Sequence, residues 1–348
     1  MKIAHSKPCI DRMDLEKVGD VLRSGFLSTG SQCVRFGSAC AKILGKNWGI
    51  PTQSGTDAIT AALRLLKLGK DAKIAVPGYI CSAVLDAAHI EGITPVPVDI
   101  ERETLSISPA LVNEFADANA VLGAHLFGIP APLNRIRNKN LIEDCAQTLG
   151  IKNCDGIVVG AMGKFSICSF YATKLLTTGH GGLLAGDCAK MQKEAMRLFT
   201  HDKQDKWEPH LHFLMSDFNA ALGISQAAKL ENFIAKRRKV AARFIAAMGG
   251  KKLPLSIFSR FLVIPEKEGL TDKIIADFNK RGIEAKKPVF KPLYRYMGLK
   301  DKDFPNSCWA HRNIISIPIY PEMEETHIQM LEKNLQEKKN VLRCWPPA

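Results

Sequence analysis

The spacing of apolar and polar positions divides most of the chain into short apolar runs separated by helical stretches. Residues 31–45 have the spacing of a short helix closed by Gly45. Ala58, Ile59, Ala62, Leu63, Leu65 and Leu66 recur at helical intervals until Gly69. From there the pattern alternates. Lys73–Val76 predicts a strand stopped by Pro77-Gly78, Ser82–Glu91 a helix, Thr94–Ile100 a strand, and Pro109–Asp117 a helix. Ala120–Phe127 and Asn140–Asp144 predict two further strands, and the apolar runs Phe165–Phe170 and Leu183–Ala185 another two. Strands alternating with helices of this length imply a mostly parallel sheet covered on both faces, with ligands at the carboxyl ends of its strands. Residues 1–30 read as a mixed arm ending in the loop-like cluster Leu27-Ser28-Thr29-Gly30.

The second part of the chain has a different rhythm. A long helix is predicted from Ser216 to about Met248, capped by Ser216 or Asp217 and stopped by Gly249-Gly250. Beyond it come a strand (Phe258–Ile264), a helix (Thr271–Arg281), a strand (Ile314–Ile319) and a helix (Glu324–Lys338), enough for a small α+β domain. The expected division is a large domain over 1–248, with residues 1–30 as its arm, and a small domain over 249–348.

Composition changes this picture little, and charge changes it more. Of 348 residues, 46% are apolar and 24% charged, as in an ordinary globular protein, but the formal charge is +13. The basic residues are dispersed. The densest clusters, Lys236-Arg237-Arg238-Lys239 and Lys286-Lys287, lack the interleaved aromatics of a single-strand binder, so anionic small molecules are expected rather than nucleic acid. None of the ten cysteines forms a C-x-x-C pair, and no apolar run is long enough to span a bilayer. The start, MKIAHSKPCI, has no signal-peptide core, so a reduced, cytoplasmic protein without membrane contact is expected. His125, His180, His201, His210 and His212 offer no pair at helical ligand spacing with an acid between. They read as structural or substrate-contacting, and no metal is expected.

Chemistry concentrates in Gly163–Leu184. A polar turn, Tyr171-Ala172-Thr173, delivers Lys174 between two apolar runs, next to Ser169 and the cluster Gly179-His180-Gly181-Gly182. Desolvation there lowers a lysine pKa and leaves a neutral amine able to attack a carbonyl. Two readings stand on this stretch alone: a lysine that holds a carbonyl cofactor covalently, or a snorkelling surface lysine. Upstream, Ser54-Gly55-Thr56-Asp57 opens a helix, and Ser54 or Thr56 can cap it. Such a turn presents free N–H groups that suit a phosphate, although Ser/Thr caps are common on helices that bind nothing.

In order, Ser54-Gly55-Thr56, Pro77-Gly78-Tyr79, Glu143-Asp144-Cys145-Ala146-Gln147, Ser169-Phe170-Tyr171-Ala172-Thr173-Lys174 and Gly179-x-Gly181-Gly182 resemble the DegT-type family of nucleotide-sugar aminotransferases, which depend on pyridoxal 5'-phosphate (PLP). LSTG at 27–30, PVPVDI at 95–100, HLFG at 125–128, DFNAALGISQ at 217–226 and ISIPIYP at 315–321 extend the resemblance over nearly the whole chain. It implies an α/β fold of the fold-type-I PLP class, with a mostly parallel central sheet flanked by helices and a smaller C-terminal α+β domain. It also implies amino transfer from an amino acid, glutamate, to a nucleotide-linked keto-sugar, in a homodimer whose partner chains complete each other's active sites. By the same resemblance, Lys174 holds the cofactor and moves the proton, and Asp144 faces the pyridine nitrogen. Gln147 lies near the ring, and Gly55, Thr56, the Asp57 N–H and Ser169 hold the phosphate.

Three positions depart from the family pattern. Cys81 stands where most members have a ring-stacking aromatic, with Tyr79 the nearer aromatic; a P-x-Y-x-C branch of the family shares this form. His180 replaces an acid in G-E-G-G. His212-Phe213-Leu214-Met215, the segment a partner subunit directs at the phosphate, lacks the usual cation at Leu214 and leaves His212 as a donor. The last two departures raise an alternative, a PLP-binding regulatory protein that has lost amino transfer. Family dehydratases carry a histidine at the lysine position, and Lys174 argues against that chemistry. The segment Lys286–Tyr296 is expected at the mouth of the site, where it would read the sugar.

Overall fold

A computed structural model describes residues 2–69, 71–115, 117–200 and 207–346; His201 lies outside the described residues. Seven strands form the main sheet: β1 Trp48–Thr52, β2 Lys73–Pro77, β3 Thr94–Val98, β4 Ala120–Ala124, β5 Leu141–Asp144, β6 Phe165–Ser169 and β7 Gly182–Gly186. Their spatial order is β1-β7-β6-β5-β4-β2-β3. β6, β5, β4, β2 and β3 pair in parallel, while β7 runs antiparallel to both of its neighbours. β4, β5, β6 and β7 are buried along nearly their whole length, as continuous apolar runs covered by helices on two faces must be. The carboxyl ends of β4, β5 and β6 meet the start of β7 at one sheet edge, with Ser169 opposite Gly182 and Asp144 opposite Ile167.

Besides helices Ala189–Phe199 and Pro305–Asn313 and strand Leu342–Trp345, for which the pattern predicts no element, three places depart from it. The arm contains a helix, Arg12–Ser24, with a capping box in which Asp11 and Asp14 each accept the other's backbone N–H. The long helix expected over 216–248 is two helices, Asp217–Ala228 and Leu230–Ala247, separated at Lys229. At that break the Lys229 ammonium reaches Asp11 at 2.9 Å and Asp14 at 2.6 Å, tying the arm helix to the interruption. β1, with a glycine and a proline in five residues, carries little strand signal of its own; pairing with β7 over five positions makes it a strand.

A second sheet has the order β10-β8-β9, with β8 Phe261–Pro265, β9 Ile315–Ile317 and β10 Leu342–Trp345, all antiparallel. Helices Thr271–Lys280 and Glu325–Glu337 pack on it around Phe261, Phe278, Leu331 and Leu335. Ile3, from the arm, is wholly buried in this second core and forms a parallel bridge with Ile283. No helix among the described residues is long and apolar enough to cross a membrane.

Candidate active site

The motif Glu143-Asp144 closes β5, and strand alternation sends its two carboxylates to opposite faces. Glu143 faces inward. Its Oε1 accepts from His125 Nε2 at 2.8 Å and from Gly160 N–H at 2.5 Å, and its Oε2 accepts from Met162 and Gly163 N–H at 2.8 and 2.9 Å. Burial alone would raise the Glu143 pKa; the hydrogen bonds from His125, Gly160 and Gly163 outweigh it and hold the carboxyl below its ordinary range. His125 Nδ1 accepts the Ala131 N–H at 2.8 Å, so the ring is the neutral tautomer with its proton on Nε2. His125, Glu143 and Cys145 lie close enough to resemble a metal site. The four donors on Glu143 and the two bonds on His125 already take the lone pairs a cation would need, so this cluster anchors the loop at 160–163 instead.

Asp144 faces the other way, into a cavity of about 280 Å³ at the sheet's carboxyl edge. Gly55, Thr56, Cys81, Asp144, Gln147, Ser169 and Lys174 all line this cavity. Segments distant in sequence therefore converge, as the motif order implies. Lys174 is carried on the connection from β6 to β7, where its N–H bonds the Tyr171 carbonyl at 2.9 Å. The base of that connection is cinched: the Thr178 N–H and the Thr177 hydroxyl both donate to the Phe170 carbonyl, at 3.0 and 3.1 Å. Asn219 Nδ2 holds the Thr178 carbonyl at 2.7 Å.

Burial lowers the Lys174 pKa from its ordinary 10.5, against the opposing pull of Asp144 and Cys81, and Arg260 adds to the lowering. Burial raises that of Asp144, opposed by the Ala146 N–H on Oδ1 at 2.9 Å and by Lys174. Both members of the pair are thus pushed toward neutrality. Cys81 is reached from the cavity, yet the protein around it and the charge of Asp144 raise its pKa and keep it a thiol. Gln147 has a fixed orientation: its Oε1 accepts the Phe127 N–H at 3.1 Å, so its amide nitrogen remains to donate into the cavity.

The far end of the cavity is the start of helix Gly55–Leu66. Ser54 is the cap, and its hydroxyl accepts the Asp57 N–H at 3.1 Å. That N–H, expected to bind a phosphate, is therefore already occupied. The N–H groups of Gly55 and Thr56 precede it in the first turn and have no intrahelical acceptor. Close packing makes the cradle: a methyl group on Gly182 would overlap the Ser54 carbonyl, and one on Gly55 would sit 3.0 Å from Ser169 Cβ.

Besides Asp57, two expected site residues do not line this cavity, and of these His212 is expected at the site of a partner subunit. Tyr79 is wholly buried in the main core, edge-on to Phe127 at 6.3 Å, with its hydroxyl turned toward the Val289 main chain; it does not line the cavity. The strand-to-helix turn that carries it folds the ring inward and leaves Cys81 at the wall. His212 is exposed on a segment that runs antiparallel beside the end of β1, where its carbonyl accepts Gln53 Nε2 at 2.9 Å. Conversely, Ser54, Ile80, Ala146 and Tyr171 line the cavity, although the sequence pattern does not single them out for it, and so does His125, read from the sequence as structural or substrate-contacting. Proximity in sequence to Cys81, Gln147 and Lys174 is the available signal for Ile80, Ala146 and Tyr171. For His125 the sheet, placing the end of β4 beside β5, decides that it serves both readings, as Glu143's partner and as part of the cavity wall. His180, from the altered glycine cluster, packs edge-on against Tyr171 at 5.1 Å.

The profile of the DegT/DnrJ/EryC1/StrS aminotransferase family matches residues 8–336. The chain belongs to this family. Among solved structures, it is similar to Spr1654 from Streptococcus pneumoniae in its PMP form, assigned as a sugar aminotransferase, with 22% identity, 98% of each chain covered and a TM-score of 0.89. It is also similar to Helicobacter pylori PseC, an aminotransferase of pseudoaminic acid biosynthesis, with 21% identity, 98% of this chain and 100% of that one covered, and a TM-score of 0.87. The dehydratase ColD, which acts on GDP-4-keto-6-deoxymannose, shares the fold at 20% identity over 95% of this chain and 99% of its own, with a TM-score of 0.84. The backbone alone therefore does not choose between amino transfer and dehydration; the side chains in the cavity must.

Proposed function

We propose that this family member is a PLP-dependent aminotransferase that moves an amino group from an amino acid, glutamate, to a nucleotide-linked keto-sugar. The observation that carries the reading is the meeting of half-buried Lys174 and Asp144 in one cavity whose other end is a helix N-terminus with adjacent hydroxyls. The set fits PLP: an amine of lowered pKa for its aldehyde, a carboxylate for its ring nitrogen and N–H and hydroxyl donors for its phosphate. When bound, PLP supplies an electrophilic carbon for amines and a conjugated ring that takes up electron density from the substrate carbon. Lys174 would hold the cofactor, and once displaced by a donor amine would carry the transferred proton as base and then acid. Asp144 would keep the ring nitrogen protonated, and Gln147 would donate to the ring's oxygen substituent. Gly55 and Thr56 N–H, with the Thr56 and Ser169 hydroxyls, would receive the phosphate. The regulatory alternative finds no support in the cavity, where the amine and the carboxylate that amino transfer requires stand together.

We also infer a homodimer. A groove lined by Val21, Phe26, Leu27 and Thr29 leaves Phe26 82% exposed, and the segment carrying His212 lies at a sheet edge from which it can reach a second copy. The second sheet supports a smaller C-terminal unit, but its core takes in Ile3, Val240, Phe244 and Ile245, so the packing does not part the chain at 248/249. The ten cysteines are free, in keeping with a reducing, cytoplasmic setting. A place for the aminated sugar in polysaccharide building fits the same reading.

Borohydride reduction of the PLP-loaded protein followed by peptide mapping tests the core of this proposal. The expected label is on Lys174, and Lys174→Ala should lose the yellow colour and about 10²–10⁴-fold or more of amino transfer. A label on any other lysine, or none, would end it.

A further inference from the structure

Phe127 and Phe258 hold a left-handed backbone, with φ of +59° and +51°. That region is crowded for any residue with a Cβ, and an aromatic residue stays there only when its surroundings force it to. The two come from different cores, Phe127 from that of the main sheet and Phe258 from that of the second. Gly128 brings them together. Its φ is +90°, its carbonyl accepts the Ile257 N–H at 3.0 Å, and a methyl group on it would lie 2.7 Å from the Ser259 nitrogen and 2.8 Å from that of Phe258. The Phe258 N–H is held in turn by the Ser256 hydroxyl at 2.9 Å. The turn at 127–128 is therefore seated main chain to main chain on residues 256–259, with no room for a side chain at 128.

The other side of this turn belongs to the cavity. The His125 side chain bonds Glu143 at 2.8 Å, the His125 carbonyl accepts the Thr148 hydroxyl at 2.8 Å, and the Phe127 N–H donates to Gln147 Oε1 at 3.1 Å. These bonds zip residues 125–127 onto 143–148, and Gln147 lines the cavity that holds Lys174 and Asp144. An amide side chain can present either its oxygen or its nitrogen, and here a main-chain donor takes the oxygen and leaves the nitrogen. Rotation about the Phe127 N–Cα bond would turn this N–H away relative to the Gly128 seat. The seat thus holds φ, φ holds the N–H, and the N–H holds Gln147.

We propose that Phe127 is a positioning residue for Gln147. The seating of Gly128 on residues 256–259 keeps its backbone left-handed, and so keeps its N–H on Gln147 Oε1 and the Gln147 amide nitrogen toward the cavity. What Gln147 then does there rests on the PLP reading above. The arrangement makes one wall of the cavity depend on how the second unit sits against the main sheet, through main chain alone. It also gives the strain at Phe127 a use, since a relaxed backbone would release the donor that orients Gln147.

The experiment uses the full-length protein, first without cofactor and then loaded with PLP. Isotope-labelled glutamine side chains are followed by NMR, and Q147A identifies the Gln147 amide signal. In G128A that signal should move, while that of Gln226, bonded to Cys9 and Asp14 of the arm, should not. The loaded protein is read by the pH midpoint of the cofactor's visible absorbance. A donor on the ring's oxygen favours the form in which that oxygen bears its full negative charge, the high-pH form. Q147A should therefore raise the midpoint by about half a pH unit to one pH unit, the loss of one hydrogen bond. G128A should raise it by less and add nothing in the Q147A background, where no amide is left to misplace; a merely structural defect would add. S256A, which removes the hydroxyl beneath the Phe258 N–H, should act as a weaker G128A and carries the test should G128A not fold. A Gln147 signal unmoved in these variants would overturn the proposal, as would shifts that add in the double variant. A moved signal with a midpoint indifferent to Q147A would end the role of Gln147 at the cofactor and leave its positioning by Phe127 standing.

Discussion

Lys174 and Asp144 illustrate how one cavity perturbs two groups in opposite directions. Each is destabilised in its charged form by loss of water, and each is partly rescued by the other. The sign of the coupling gives a prediction. Because the Asp144 charge raises the Lys174 pKa, Asp144→Asn removes that support and should lower it further. The rate at which the cofactor-free protein captures PLP depends on the neutral amine. Its midpoint on a pH axis, already below the 10.5 of an ordinary lysine, should therefore move to lower pH in the variant. Stopped-flow absorbance across a pH series measures it, and a midpoint that stays or rises would refute the coupling. Stability follows the same linkage. With its folded pKa below the unfolded one, Lys174 lets the folded chain bind fewer protons in that window, so its contribution to stability grows as pH rises through it.

At the level of elements, the site depends on how closely β7 approaches the start of helix Gly55–Leu66. Gly182 is where a side chain cannot be accommodated, because its methyl position coincides with the Ser54 carbonyl. Gly182→Ala must push strand and helix apart, and the displaced groups are the cap and the first-turn N–H donors. Overpacking of this kind costs about 1–3 kcal/mol. The expected result is a lower melting temperature together with PLP affinity reduced by about tenfold or more. Equilibrium dialysis of PLP against the variant measures the second effect; unchanged affinity would show that the phosphate does not sit at this turn. The Glu143 cluster supports the same edge from beneath, since the loop at 160–163 is held by three backbone N–H groups on one carboxylate.

For the whole molecule, the arm is the most consequential feature. Its helix is pinned to the break at Lys229, its first residues enter the second core, and its end forms the apolar groove around Phe26. A chain that leaves this surface bare in isolation has a strong reason to pair. On the proposed dimer, Phe26→Asp should give a monomer in sedimentation velocity and weaken PLP binding in parallel, because that proposal has the partner's His212 segment complete the site. A variant that stays dimeric, or a native protein that is monomeric at micromolar concentration, would count against the shared-site arrangement.

The alternating runs from Lys73 to Leu184 were legible because buried parallel strands are apolar throughout and their connecting helices keep a 3.6-residue period. The motif order was legible too, since Ser54–Thr56, Asp144, Gln147, Ser169 and Lys174 are each brought by a strand end or helix start to the same sheet edge. Local pattern fails where a residue's partner is distant in sequence. β1 owes its existence to β7, the break at Lys229 coincides with carboxylates more than 200 residues earlier, and Tyr79 turned inward because the core had room for its ring. The pairing of His5 with Arg260, 255 positions apart, belongs to the same class. Sequence by itself set the period of each element and the chemical types available at the sheet edge. Tertiary structure decided which of those groups face the cavity and which are consumed by one another, because burial and hydrogen-bond satisfaction are properties of the packed chain.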